Sequence, residues 1–507
     1  MTVPPRWRVL VANRGEIALR IMRACRDEGL ETVAVYSDAD RHAPFVRAAD
    51  QAIRIGPPAP ADSYLRIDAL LAAAAESGAD AVHPGYGFLS ERAAFAQAVA
   101  DAGLSFVGPS AAAIAAMGDK TSARRLMAAA GVPIVPGSAD TLSDSDAAAA
   151  IAAGIGFPVL VKAVAGGGGK GMRVVRHPRE LGAALTAASR EAVKAFGDGR
   201  VYLEKYIERP RHVEIQILAD HQRTIHVGER ECSIQRRHQK LVEEAPSVAV
   251  TPALRERMGA AAIAAARAVG YRGAGTCEFL LGADGEFYFL EMNTRIQVEH
   301  PVTEAVYGVD LVREQLRIAR GMPMSIPDGP VTPRGWAIEC RITSEDPANG
   351  LLPSAGTITW IRAPAGPGVR WESGVESGSE VTLFYDSMLA KLIVHAADRP
   401  RAIDVMQRAL AELVLVGVAT NIPFHRRLLA DLDFATGAID IQFLERRADL
   451  LLPADDDATT TRLAIVAALL AEERRVSRRT GSPPVSTGDL NVARSAWRDT
   501  ARRDALR

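Results

Sequence analysis

Short apolar runs alternate with amphipathic segments through the first part of the chain. Arg8-Val-Leu-Val-Ala12 reads as a strand, and Asn13-Arg-Gly-Glu16 opens a helix over 17–28. A strand at 32–36 follows, ended by Ser37-Asp-Ala-Asp40. Residues 68–77 are helical, and Ala81-Val-His83 is a strand before Pro84-Gly-Tyr-Gly87. Strand and helix in alternation predict a parallel sheet, with ligand loops at the strand ends. No G-x-G-x-x-G follows the first strand, which argues against a dinucleotide site there. Ala-rich stretches at 69–75, 147–153 and 259–268 suit helices, because alanine has the best helix propensity.

A second unit begins near Lys120. Phe157-Pro-Val-Leu-Val-Lys-Ala163 and Met172-Arg-Val-Val175 are apolar strands flanking Ala165-Gly-Gly-Gly-Gly-Lys-Gly171. Consecutive glycines let backbone N–H groups turn toward a phosphate without Cβ obstruction. The order strand–loop–strand, with Gly171 after Lys170, differs from a P-loop and predicts a mobile phosphate cover. Further on, Thr276-Cys-Glu-Phe-Leu280 and Phe287-Tyr-Phe-Leu-Glu-Met-Asn293 read as a hairpin around Gly282-Ala-Asp-Gly285. A four-residue loop would pair Leu281 with Glu286 and set Glu278 opposite Phe289, leaving Glu291 diagonal to Glu278 on one face. Side chains two apart in a strand share a face. If the chain stays extended past Asn293, then Glu291, Asn293, Arg295, Gln297 and Glu299 form one polar row. Such a row offers hard oxygen ligands for Mg²⁺ on a nucleotide and a guanidinium for an oxyanion.

Composition narrows the classes. The 507 residues allow about three domains. Lys and Arg number 60 against 61 Asp and Glu, a net charge of −1, so a nucleic-acid partner is not expected. Four scattered cysteines, Cys25, Cys232, Cys277 and Cys340, suggest neither a disulfide framework nor a zinc site, and fit a reducing cytoplasm. No signal-peptide core and no membrane span are read from the chain. Beyond Leu450 the character turns polar, with an amphipathic helix expected over 461–475.

Motifs in order carry a resemblance. They are Ala12-Asn-Arg-Gly-Glu-Ile17, His83-Pro-Gly-Tyr-Gly-Phe-Leu-Ser90, Met117-Gly-Asp-Lys120, the glycine loop to Met172, and Arg211-His-Val-Glu-Ile-Gln216. Glu229-Arg-Glu-Cys-Ser-Ile-Gln-Arg-Arg-His-Gln-Lys240, Glu291 through Glu304, Glu339-Cys-Arg-Ile342 and Tyr385-Asp-Ser-Met-Leu-Ala-Lys-Leu392 complete them. From about Arg8 to Leu450 the chain resembles biotin carboxylase, an ATP-grasp enzyme. The resemblance implies an α/β fold with a Rossmann-like N-terminal domain (1–118) and an ATP-grasp domain (119–330) whose lid spans about 135–205. A C-terminal α+β domain (331–450) and an extension (451–507) of unknown role follow.

The resemblance also implies roles. Lys120, Lys162, Gly168, Gly169, Glu204, Lys205, Tyr206, Ile207, His212, His238, Glu278 and Glu291 would contact ATP. Glu278, Glu291 and Asn293 would hold Mg²⁺ or Mn²⁺, with two ions expected. Lys240, Arg295, Gln297 and Val298 would bind bicarbonate, Glu299 would be the base, and Arg341 with Tyr86 would meet biotin. Arg295, Glu299, Arg341 and Lys240 form the expected catalytic set. The activity implied is ATP-dependent carboxylation of biotin through carboxyphosphate. No Ala/Val-Met-Lys-Met sequence is present, so the expectation is a free-standing subunit that dimerises and serves a biotin carboxyl carrier protein and a carboxyltransferase. Another bicarbonate-using ATP-grasp ligase and a non-catalytic ATP-binding scaffold are the alternative readings.

Overall fold

The computed structural model describes residues 7–138, 141–142, 145–164, 172–329, 331–452, 465–469 and 472. The expected glycine cover, with Gly168 and Gly169, and most of the extension lie outside these. The chain divides into two compact units, 1–452 and 453–507. In the second, residues 465–469 are helical.

The first sheet is parallel, as the strand–helix alternation predicts. Its strands are β1 (Arg8–Val11), β2 (Glu31–Ser37), β3 (Gln51–Gly56), β4 (Ala81–His83) and β5 (Ser105–Phe106), in the order β3-β2-β1-β4-β5. The order reverses at β1, so the crevice beyond its carboxyl end is the place for a ligand. Helix α1 (Gly15–Asp27) starts there. Asn13 Nδ2 donates to the Pro84 and Tyr86 carbonyls at 2.7 Å each, tying the β1 loop to the β4 loop.

A three-stranded antiparallel sheet, β7-β6-β8, is built from β6 (Val159–Ala163), β7 (Met172–Val175) and β8 (Val201–Lys205). Its buried face, Val159, Val161, Val175, Val201 and Leu203, packs on Ala148 and Ala152 of one helix and Ala188 of another. Alanines let these helices approach closely, which accounts for the Ala-rich stretch.

The largest sheet has eight antiparallel strands. It includes β9 (Arg211–Ala219), β10 (Thr224–Arg236), β11 (Gln239–Ala245), β12 (Gly273–Leu281), β13 (Phe287–Asn293) and β14 (Trp336–Thr343). The order β13-β12-β9-β10-β11-β14 continues through the strands Met388–Ala396 and Val369–Ser373. One continuous sheet therefore joins the middle and last thirds of the chain.

The hairpin register differs from the expected one. Leu281 pairs with Phe287, not Glu286, and Phe279 rather than Glu278 faces Phe289. The loop is one residue longer, closed by Gly282 N donating to the Glu286 carbonyl at 2.8 Å. A bulge at Leu290 then shifts the pairing, so Glu278 lies directly opposite Glu291 rather than diagonal to it. The row also ends sooner than expected: β13 stops at Asn293, and 294–299 form bends and a turn before the helix His300–Tyr307.

The last third packs against the N-terminal helix through Gly374. A Cβ built there would fall 2.7 Å from the Glu16 backbone nitrogen and 3.0 Å from Gly15 Cα. Backbone cannot step aside as a side chain does. Gly374→Ala is expected to cost roughly 1–3 kcal/mol, read as a lower urea midpoint with unchanged m. A wild-type midpoint would show that this contact opens freely.

Candidate active site

Two adjoining clefts, ≈ 1160 and ≈ 560 Å³, lie between the three sheets and share Lys162, Glu204, Glu291 and Asn293 in their walls. The larger also takes in Tyr86, Ile207, His212, His238, Lys240, Glu278, Arg295, Gln297, Val298 and Arg341. Residues expected to act together are thus brought together from all three sheets.

Lys240 is the electrostatic centre. Its Nζ lies 2.6 Å from Glu214, 2.8 Å from Glu278 and 2.7 Å from Glu299. The three carboxylates raise the Lys240 ammonium well above its ordinary value despite burial, which alone would lower it. Burial pushes the Glu299 carboxyl up, but Lys240, Arg341 and Arg230 outweigh it and hold it well below the usual range. Arg341 donates from Nη2 to Glu299 at 2.9 Å and from Nε to Glu243 at 2.6 Å. Glu243 goes the other way: burial and then the Glu299 charge carry it to about 7, against the pull of Arg341. It pairs across the strands with buried Glu339, whose carboxyl burial also pushes up.

Glu278 collects the polar row by folding rather than by strand alternation. One of its oxygens accepts from Asn293 Nδ2 at 2.9 Å and Gln297 Nε2 at 3.0 Å, while His212 Nε2 lies 3.0 Å from the other. Arg295 reaches back to Asn293 at 3.1 Å and forward to Glu91 at 3.0 Å. Glu278, Glu291 and Asn293 are an all-oxygen donor set, which suits a hard divalent cation. All three line the larger cleft, with Glu278 opposite Glu291 across the β12–β13 pair.

On the other wall, Lys162 Nζ pairs with Glu204 at 2.6 Å, and Arg124 holds the second Glu204 oxygen. The apolar strand around Lys162 calls for an anionic partner such as phosphate; in this structure the Glu204 carboxylate fills that place. Lys205 Nζ is spent on the Gly156 and Phe157 carbonyls at 2.9 and 3.1 Å. Tyr206 and Ile207 follow β8 along the cleft wall. His238 occupies the two-residue turn between β10 and β11, where both Arg237 and His238 have φ above zero, 49° and 67°. Side chains rarely adopt that conformation outside such two-residue hairpin turns, and from this turn His238 lines the cleft. Lys120 opens the helix Lys120–Ala129; its side chain lies outside the described residues.

Sequence reasoning assigned no role to Glu214, Arg230, Glu91 or Glu243. Arg230 is fully buried and reaches Glu214, Gln216, Thr276 and Thr303. The available signal was polar residues two apart, His212, Glu214 and Gln216, in an otherwise apolar strand.

Known proteins match this chain over most of its length. Residues 6–114 match the family model of the biotin carboxylase N-terminal domain, and 119–326 that of the carbamoyl-phosphate synthase L chain ATP-binding domain. Residues 339–446 match the biotin carboxylase C-terminal domain. A pyruvate carboxylase subunit from Methanothermobacter thermautotrophicus is 53% identical over 439 residues, covering 86% of this chain and 89% of that one. Biotin carboxylase 1 of Bacillus subtilis is 52% identical, covering 86% and 98%. Among solved structures, the biotin carboxylase domain dimer of Hydrogenobacter thermophilus 2-oxoglutarate carboxylase, with MgADP, ADP and bicarbonate, superposes with a TM-score of 0.81. It is 47% identical and covers 88% of this chain and 99% of that one.

Proposed function

The chain belongs to the biotin carboxylase family of ATP-grasp enzymes, and from that premise we propose that it carboxylates biotin with ATP and bicarbonate. The observation that carries this reading is the Lys240–Glu299–Arg341 array, a carboxylate kept ionised between two cations at the wall of a cleft large enough for a nucleotide.

Arg295 and Lys240 hold bicarbonate, with Gln297 and the Val298 main chain completing its pocket. Glu299 removes the bicarbonate proton, so the oxyanion attacks the γ-phosphate in line. Glu278, Glu291 and Asn293 would hold Mg²⁺, which would supply positive charge to offset that of the phosphate oxygens. Lys120 and Lys162 supply further positive charge there, and Lys205, Tyr206, Ile207, His212 and His238 line the nucleotide. Carboxyphosphate breaks down to CO₂ and phosphate, phosphate deprotonates biotin N1′, and Arg341 steadies the enolate that captures CO₂. Tyr86 borders the biotin end. Residues 135–205, with their own small sheet, serve as the cover that keeps water from carboxyphosphate.

Biotin arrives on a separate carrier and a carboxyltransferase takes the product; support for this comes from Biotin carboxylase 1 of Bacillus subtilis, a relative matched over 98% of its own length. The Hydrogenobacter relative, a domain dimer, supports a homodimer. Among the described residues no helix is long and apolar enough to cross a membrane. The four cysteines are buried and unpaired, in keeping with a reducing cytoplasm.

Bicarbonate-stimulated ADP release with biotin tests the function; release that ignores both bicarbonate and biotin would overturn it. For the nucleotide wall, Lys162→Gln removes the charge paired with Glu204. The KM for ATP is expected to rise roughly tenfold, with less change in the bicarbonate KM, the loss of a charge-assisted contact being about 1.5–3 kcal/mol. An unchanged ATP KM would take Lys162 out of the site.

A further inference from the structure

Lys391 lies in the strand Met388–Ala396 and is fully buried. A buried ammonium must be paired. Its Nζ stands 3.2 Å from Glu16 Oε2 and 3.1 Å from Glu372 Oε2, and donates to the Val298 carbonyl oxygen at 2.9 Å. Glu16 sits in the first turn of α1, and its other oxygen accepts from the Tyr86 hydroxyl. Glu372 is held in turn by Arg370 Nε at 2.9 Å. Segments near residues 16, 298, 372 and 391 thus meet on one cation, beneath the cleft wall formed by Val298 and Tyr86.

The position of that hydrogen bond matters. The Val298 carbonyl belongs to the rigid peptide plane that ends at Glu299 Cα. Val298 and Glu299 form a turn between β13 and the helix His300–Tyr307, so no strand ladder holds this plane. Holding the oxygen sets the direction in which the Glu299 side chain leaves the backbone.

We propose that Lys391 is a positioning residue of the carboxylation site. Its ammonium fixes the Val298–Glu299 peptide, and with it the Glu299 carboxylate, and through Glu16 ties the Tyr86 hydroxyl to the same anchor. This rests on the function proposed above. Bicarbonate and biotin ends of the cleft are thereby set by a single buried charge that touches neither substrate.

The test compares Lys391→Met, the double variant Lys391→Met/Glu372→Gln, which removes one charge of each sign, and Glu16→Gln. ATP affinity is measured by titration calorimetry, folding by thermal melting, and bicarbonate-dependent ADP release with free biotin by steady-state kinetics. The folded Lys391 variants are expected to lose roughly 30-fold or more in kcat with ATP affinity within about threefold, since misplacement by an ångström costs up to about 10²-fold. Glu16→Gln keeps an acceptor for Tyr86 but loosens the ammonium, and is expected to lose about tenfold on the same ground. A wild-type kcat in the double variant, or in Glu16→Gln should the Lys391 variants not fold, overturns the proposal. So does a parallel loss of ATP affinity, which would assign Lys391 to the fold alone. A wild-type enzyme without bicarbonate-dependent ADP release sinks the function itself, so the two failures are told apart.

Discussion

Glu299→Gln is expected to bind ATP normally and to lose about 10²–10⁴ in bicarbonate-dependent ATP cleavage. The wild-type carboxylate uses one oxygen for Lys240 at 2.7 Å and the other for Arg341 at 2.9 Å. Glutamine has one acceptor oxygen, and its NH₂ cannot take a proton at neutral pH. The fold should survive, because Lys240 keeps Glu214 and Glu278, and Arg341 keeps Glu243. The cleft wall around Lys162 and Glu204 is built from other strands. Calorimetric ATP binding beside ADP-release kinetics separates the two effects. Turnover near wild type would remove Glu299 as the base.

Lys240→Met is expected to do more. It leaves three buried carboxylates, Glu214, Glu278 and Glu299, without their shared cation. Breaking a buried pair costs about 3–5 kcal/mol, and bicarbonate would lose one of its two cations as well. The pH dependence has a defined sign. Glu278 and Glu299 are held below their ordinary value of 4.5 in the folded protein. Their stabilisation is therefore fully present above that value and is lost as pH falls through the lower folded values. Without Lys240 both carboxyls rise, so the variant should lose activity at a higher pH than the wild type on acidification, while its stability, already lower at neutral pH, should fall less steeply in acid. Urea unfolding and ADP release across pH 4–8 would show it (the range bracketing ordinary carboxylates). Acid limbs that coincide in variant and wild type would mean that Lys240 does not set these carboxylates.

Local pattern carried much of the fold. Alternating strands and helices at residues 8–83 predicted a parallel sheet, though not its strands Gln51–Gly56 and Ser105–Phe106, and apolar strands either side of the glycine run marked β6 and β7. In the site, the period-two row from Glu291 reached only Asn293. Arg295 and Gln297 still arrive in the cleft wall by way of a turn, and Glu299 comes to rest behind it against Lys240 and Arg341. Glu278 and Glu291 face each other because of a bulge at Leu290, which alternation alone does not announce.

Sequence by itself determined the element types, the ordered motifs and hence the family and most of the expected site residues, because these depend on short-range spacing and residue chemistry. Tertiary structure alone decided which carboxylate meets which cation. Lys240 with Glu299, Arg341 with Glu243, and Lys391 with Glu16 join residues tens to hundreds of positions apart. Ion pairing depends on distance in space and on desolvation, and neither exists until the sheets close around the cleft.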